Sequence, residues 1–125
     1  MKKLASLVLI SLVSVAVFYP GPALGAVPAR SGDAKAGLEI HKKNCVRCHG
    51  ERGKGEGPAA KLLKTKPTDW SDKAKMSRLS DQDLFNVISK GGETAGKSKL
   101  MPAFAGKLSD QDVHNVIAFI RSLSK

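Results

Sequence analysis

The run Cys45-Val46-Arg47-Cys48-His49 constrains this chain more than any other stretch. Two cysteines separated by two residues and followed at once by a histidine form the pattern of covalent haem attachment. Such cysteines bond the two vinyl-derived positions on one haem edge. The adjacent histidine then falls under the iron, where imidazole is a suitable axial ligand. Other uses of a cysteine pair ask for different surroundings. A thioredoxin-like dithiol needs a βαβ context, and no convincing strand lies nearby. A structural zinc site takes four ligands, usually from two separated pairs. This chain has only two cysteines, and His41, His49 and His114 stand in no knuckle spacing.

The N-terminus sets the compartment. Met1-Lys2-Lys3 is followed by an apolar and small-residue run from Leu4 to Tyr19, and together they read as a secretory leader. Pro20-Gly21-Pro22 breaks any helix, and Ala23 and Gly25 supply small residues for cleavage before Ala26. Cleavage after Ala26 or Ala29 and an uncleaved anchor are the alternatives. The 16-residue run falls short of a membrane span, which needs roughly 17–25 residues. The expected organisation is a signal peptide over 1–25 and a single domain over 26–125, delivered to the periplasm. There free thiols oxidise unless used, and thioether bonds use both.

Removing 25 of the 125 residues leaves 100, with 19 basic and 11 acidic residues and a net charge of +8. Leu, Ile, Val and Phe together number 20 in that stretch, at a level where highly charged chains are often disordered. Trp70, Phe85, Phe104 and Phe119 are its whole aromatic supply. A core this thin asks for a large apolar group at its centre, which a haem provides.

The local signals predict an all-α domain. Asp33 is placed to cap a helix from Ala34 to Asn44, with Leu38 and Ile40 as its apolar positions and Gly37 marking a close neighbour. Four glycines between Gly50 and Gly57 fit a tight chain reversal. They do not fit a phosphate loop, because no G-K-[ST] ending and no preceding strand are present. Ala59 to Lys64 reads as a short helical turn, and Lys66 to Trp70 as irregular. Ser80 and Ser109 open near-identical capping boxes. The first starts a helix carrying Leu84, Phe85, Val87 and Ile88 that ends at Gly91-Gly92. The second starts a helix lined by Val113, Val116, Ile117, Ile120 and Leu123, broadened by Phe119. Glu93 to Lys99 reads as a mobile polar loop before Met101-Pro102-Ala103-Phe104.

With these pieces in hand, the chain resembles a class I c-type cytochrome over nearly all of residues 26–125. The resemblance rests on Gly37 and Ile40 ahead of the Cys45–His49 motif, Gly57-Pro58 after it, Met101-Pro102-Ala103-Phe104, and Phe119. It implies a small cytochrome c fold of four to five helices and turns around one covalent haem c per chain. Cys45 and Cys48 would be the attachment points, and His49 and Met101 the axial ligands. It further implies a contact between Gly37 and Phe119 where the first and last helices cross. It also implies a bond from His49 to the Pro58 carbonyl. The aromatic residue usual in the first helix is replaced by Ile40 or His41. Met76, in a charged stretch, is the other methionine ligand candidate and is read as packing. His41 is expected on the histidine side of the haem and partly exposed, and His114 solvated. Trp70 is read either as a donor to a haem propionate or as ordinary packing.

The implied function is one-electron transfer between redox proteins, with no catalytic residues. Lys42, Lys43, Arg47, Arg52 and Lys54 lie around the attachment segment, and Lys97, Lys99 and Lys107 flank the Met101 loop. Around an exposed haem edge they would steer a partner with an acidic docking surface. The expected protein is a monomer that binds no nucleic acid and stays out of the membrane after cleavage. A haem sensor or enzyme would need Met101 away from the iron, a diheme peroxidase needs a second CxxCH, and a thiol protein would carry no haem.

Overall fold

Two capping boxes and two aspartate caps, Asp33 and Asp72, set most of the secondary structure. The structure, a computed structural model, describes residues 31–125, so the leader and its cleavage site lie outside the described residues. Helix α1 spans Ala34–Asn44, and the Asp33 carboxylate accepts from the amides of Lys35 and Ala36 at its start. After Cys45 a single turn, α2, covers Val46–His49. The Pro58–Leu62 segment is a 3₁₀ turn, and α3 is another single turn over Lys73–Met76. Helix α4 runs Asp81–Lys90 and α5 runs Asp110–Leu123. In each of these two, the box serine accepts an amide three residues on, and that residue's aspartate accepts the serine's own amide. Among the described residues no strand forms; Ala105 and Leu108 make one isolated bridge.

The helices meet around one core. Leu84 and Ile88 of α4, Met76 of α3 and five residues of α5 (Val113, Val116, Ile117, Phe119 and Ile120) are buried together with Trp70 and Phe104. Leu123, Phe85 and Val87 are half-buried at its margin. Helix α1 packs most extensively on α5, and the buried residues of α1 are Gly37 and His41 rather than Leu38 and Ile40. A side chain at Gly37 would run into the Asn115 carbonyl and crowd Phe119, so the helices can cross this closely only at glycine. The expected contact between Gly37 and Phe119 is therefore present. Asn115 also accepts the Asp33 amide on its side chain at 2.8 Å, which fixes the start of α1 against α5.

Gly37→Ala tests this crossing. Alanine gains about 1 kcal/mol of helix propensity over glycine, but overpacking costs about 1–3 kcal/mol. The obstacle is backbone that cannot rotate away, so the upper end applies. The expected net loss is about 2 kcal/mol, a fall of roughly 8–16 °C in melting temperature. A melting temperature at or above that of the parent would refute the close crossing.

Two features escaped the sequence reading. The first is helix α3 itself, which carries Met76, read as packing, into the core at 1% exposure. Arg121 of α5 donates to the carbonyls of Met76 and Leu79 and pairs with Asp81 at 2.8 Å, joining the end of α3 to the start of α4.

Candidate haem site

Helix α2 is short, but its spacing decides what it presents. Residues three apart lie on one helix face, so the thiols of Cys45 and Cys48 share a side. Both are free and half-buried. Burial, with Cys48 adding to it, pushes the Cys45 thiol up to about 11. A reactive thiol takes the opposite shift, so Cys45 lacks the activation of a redox nucleophile. Among the described residues no three His, Cys, Asp or Glu side chains cluster as a metal-ion cage.

The glycine reversal after α2 closes back over it. Gly50 and Gly53 take positive φ angles of 76° and 68°. The Gly55 amide donates to the His49 carbonyl at 2.9 Å, and the Gly57 amide to that of Cys48 at 3.2 Å. A side chain on Gly57 would strike the carbonyls of Val46 and Arg47. The Trp70 amide donates to the Gly53 carbonyl at 2.8 Å, which brings the indole beneath the reversal.

His49 is half-buried, and its ring stacks on Trp70 with centroids 4.2 Å apart and planes 20° from parallel. The implied bond to Pro58 is absent. The ring lies face-on to the indole, and its Nδ1 is sealed from solvent without a partner. Burial, with His41 as the lesser cause, lowers its pKa to about 4. At neutral pH the imidazole is uncharged, the form in which histidine ligates metals. Sealed polar atoms are normally hydrogen-bonded, so this orphan nitrogen is a cost of seating the ring, while the residue itself lines a cleft beside both thiols.

Beside these residues opens a cleft of about 320 Å³, within the roughly 300–1,000 Å³ of ligand sites. Cys45, Cys48 and His49 line it from the α2 side, and Met101 lines it from the loop after α4. Its apolar wall includes Leu84 and Ile88 of α4, Phe104, and Val116 and Ile120 of α5. An apolar macrocycle tethered through two thiols fits this donor set. The Met101 loop is tied down: its carbonyl accepts the Gly92 amide at 3.0 Å, and the Phe104 amide donates to Ile88 at 3.0 Å. The stretch read as a mobile polar loop contains a 3₁₀ turn at Glu93–Ala95.

The other sequence-selected residues sort clearly. Met76 lies in the core and does not line the cleft. Trp70 is buried, packing against His49 and His41. His41 is not partly exposed as expected but wholly buried, because it occupies the aromatic slot against Phe119 and Trp70. His114 is not fully solvated; it lies half-buried against Phe85 at 5.2 Å. Lys42 and Arg52 are paired with Glu39 and Glu56. The lysines lining the cleft are Lys66 and Lys97, with Lys64 and Lys99 at an adjoining hollow. The sequence reading passed over Lys64 and Lys66, which belong to an irregular segment with no periodicity to mark a face.

Fold and site together define a small helical protein built to hold a covalent haem. Residues 34–124 match the Cytochrome c family model, and the chain belongs to the cytochrome c family. It is 33% identical over 124 residues to the cytochrome c6 of Picosynechococcus sp., covering 96% of this chain and 92% of that one. It is 30% identical over 101 residues to the cbb3-type cytochrome c oxidase subunit FixP of Bradyrhizobium sp., covering 80% of this chain but only 31% of FixP. The chain thus spans about a third of that relative's length. The KustC0563 c-type cytochrome has the same fold at a TM-score of 0.59, with 21% identity over 71% of this chain and 98% of that one. Family membership makes haem-based electron transfer the activity and covalently bound haem c, with its iron, the cofactor. Cys45 and Cys48 fit the attachment motif.

Proposed function

We propose that the chain is an exported, monomeric one-electron carrier of the periplasm, with residues 1–25 as its signal peptide and 26–125 as its cytochrome c domain. In this reading His49 and Met101 are the two axial ligands. The observation that carries it is the cleft, where Cys45, Cys48, His49 and Met101 converge while Met76 is held away in the core. Haem c supplies the one-electron Fe(III)/Fe(II) couple when bound. Two protein ligands leave no position open to an outside molecule, which separates a carrier from a gas sensor or an oxidase. The apolar wall excludes water, and a methionine sulfur favours the reduced state. Among the described residues no helix is long and apolar enough to cross a membrane.

Partners are proposed to dock at the cleft mouth through acidic surfaces. Leu62 and Leu100 are the large apolar side chains most exposed there, at 83% and 66%. Lys64, Lys66 and Lys97 stand beside them, and Lys99 is paired with Glu93 at 3.0 Å. Charges on such a rim act chiefly on encounter rate and are screened beyond about 8–10 Å at physiological salt. Stopped-flow reduction of the ferric protein by ferrocyanide is therefore expected to slow as ionic strength rises. Reduction by a cationic ruthenium ammine should speed up over the same range. Rates that stay flat with both reagents would mean that the basic surface has no direction toward the haem.

A further inference from the structure

We infer that His41 is a positioning residue for His49, acting through a hydrogen bond to the Gly50 carbonyl and an edge contact with Trp70. The inference rests on the reading of His49 as an axial ligand.

His41 is fully buried, and its Nε2 lies 2.9 Å from the Gly50 carbonyl oxygen. A carbonyl only accepts, so Nε2 carries the proton and the tautomer is fixed. The Gly50 carbonyl also takes the Gly53 amide at 3.2 Å, so His41 reaches the point where the attachment turn becomes the glycine reversal. The same ring meets Trp70 edge-on, at 5.5 Å between centroids and 64° between planes. Trp70 in turn backs His49 face to face. One side chain therefore touches both supports of His49, the peptide that follows it in the chain and the indole behind it.

Packing alone does not account for a histidine here. The slot against Phe119, at 5.0 Å, suits an aromatic ring, and a phenyl group would fill it with no polar atom to bury. Histidine brings two nitrogens into a site with no exposure, and its Nδ1 finds no partner. An unpartnered buried polar atom costs stability. What the imidazole adds over a phenyl ring is the bond to Gly50. Burial also lowers its pKa, which keeps the ring neutral.

The test compares His41→Phe, which keeps a ring and loses the bond, with His41→Gln, which keeps an N–H donor and loses the ring. Proton NMR of the ferric holoprotein is the readout, because the paramagnetic shifts of the haem methyls follow the plane of the axial imidazole. His41→Phe is expected to retain covalent haem but redistribute the methyl shifts. His41→Gln should keep a pattern close to the parent's despite a lower melting temperature. A methyl pattern unchanged in His41→Phe, with only the melting temperature moved, would overturn the inference and leave His41 as packing. Should His41→Phe fail to mature, His41→Gln is compared with His41→Leu, which also lacks the ring but has no donor: a pattern nearer the parent's in His41→Gln than in His41→Leu supports the inference, and the same pattern in both overturns it. Failure of the underlying reading is seen separately, in the parent itself, as a ferric spectrum without the signals of a histidine-ligated haem.

Discussion

Replacing Cys45 and Cys48 together with alanine is expected to leave the chain without stable tertiary structure. Only 20 of residues 26–125 are Leu, Ile, Val or Phe, and several of them, including Leu84, Ile88, Val116 and Ile120, face the cleft as well as the core. Without a tethered haem those side chains line a hollow of about 320 Å³. At about 24 cal/mol per Å³ of residual cavity, a hollow of that size costs at most about 8 kcal/mol. That is comparable to the roughly 5–15 kcal/mol that holds a whole domain together. Chain of the bare polypeptide mass should show weak helical circular dichroism and no cooperative melt, and should be recovered in low yield. The single variants Cys45→Ala and Cys48→Ala keep one tether and should lie between the parent and the double variant. A haem-free double variant that melts cooperatively with parental helicity would show that the polypeptide carries its own core.

The elements that sequence revealed best are those fixed by local chemistry. Asp33, Ser80 and Ser109 act within one turn of their own position, and each caps the helix it was expected to cap. The apolar stripe of α5 is long enough for its period to show. Gly37 was legible because a glycine inside a helix needs a neighbour to explain it, and that neighbour is α5. The attachment cysteines were legible because their spacing and the histidine after them form one short contiguous motif.

What sequence concealed depends on residues far apart in the chain. Helix α3 has four residues, too few for any period, so the helix that carries Met76 into the core could not be anticipated from the charged residues around it. Arg121 finds its carbonyl partners more than 40 residues away. No local signal marks His41 as buried. Its burial follows from Phe119, Trp70 and Gly50 meeting at one point. The stack of His49 on Trp70 is of the same kind. It replaces the bond to Pro58 that the family resemblance suggested, and no local signal distinguishes the two. The lysines at the cleft mouth were partly misassigned because an irregular segment has no face until tertiary contacts give it one.

The central claim is that Met101, and not Met76, is the second protein ligand to the haem iron. Met101 lines the cleft with Cys45, Cys48 and His49, whereas Met76 is sealed among α3, α4 and α5. The two methionines therefore separate by role, with Met76→Ala as the control for a loss of packing. Truncating a buried methionine costs about 2–5 kcal/mol, so the control should lower stability without changing ligation. The measurement is the weak long-wavelength sulfur-to-iron charge-transfer band of the ferric protein, recorded for the parent and both variants. With Met101 on the iron, the parent and Met76→Ala both show the band. Met101→Ala should lack it, bind added azide or carbon monoxide readily, and have a lower midpoint potential. A band that survives Met101→Ala and disappears in Met76→Ala, or a parent that binds carbon monoxide freely with both methionines intact, would contradict that assignment.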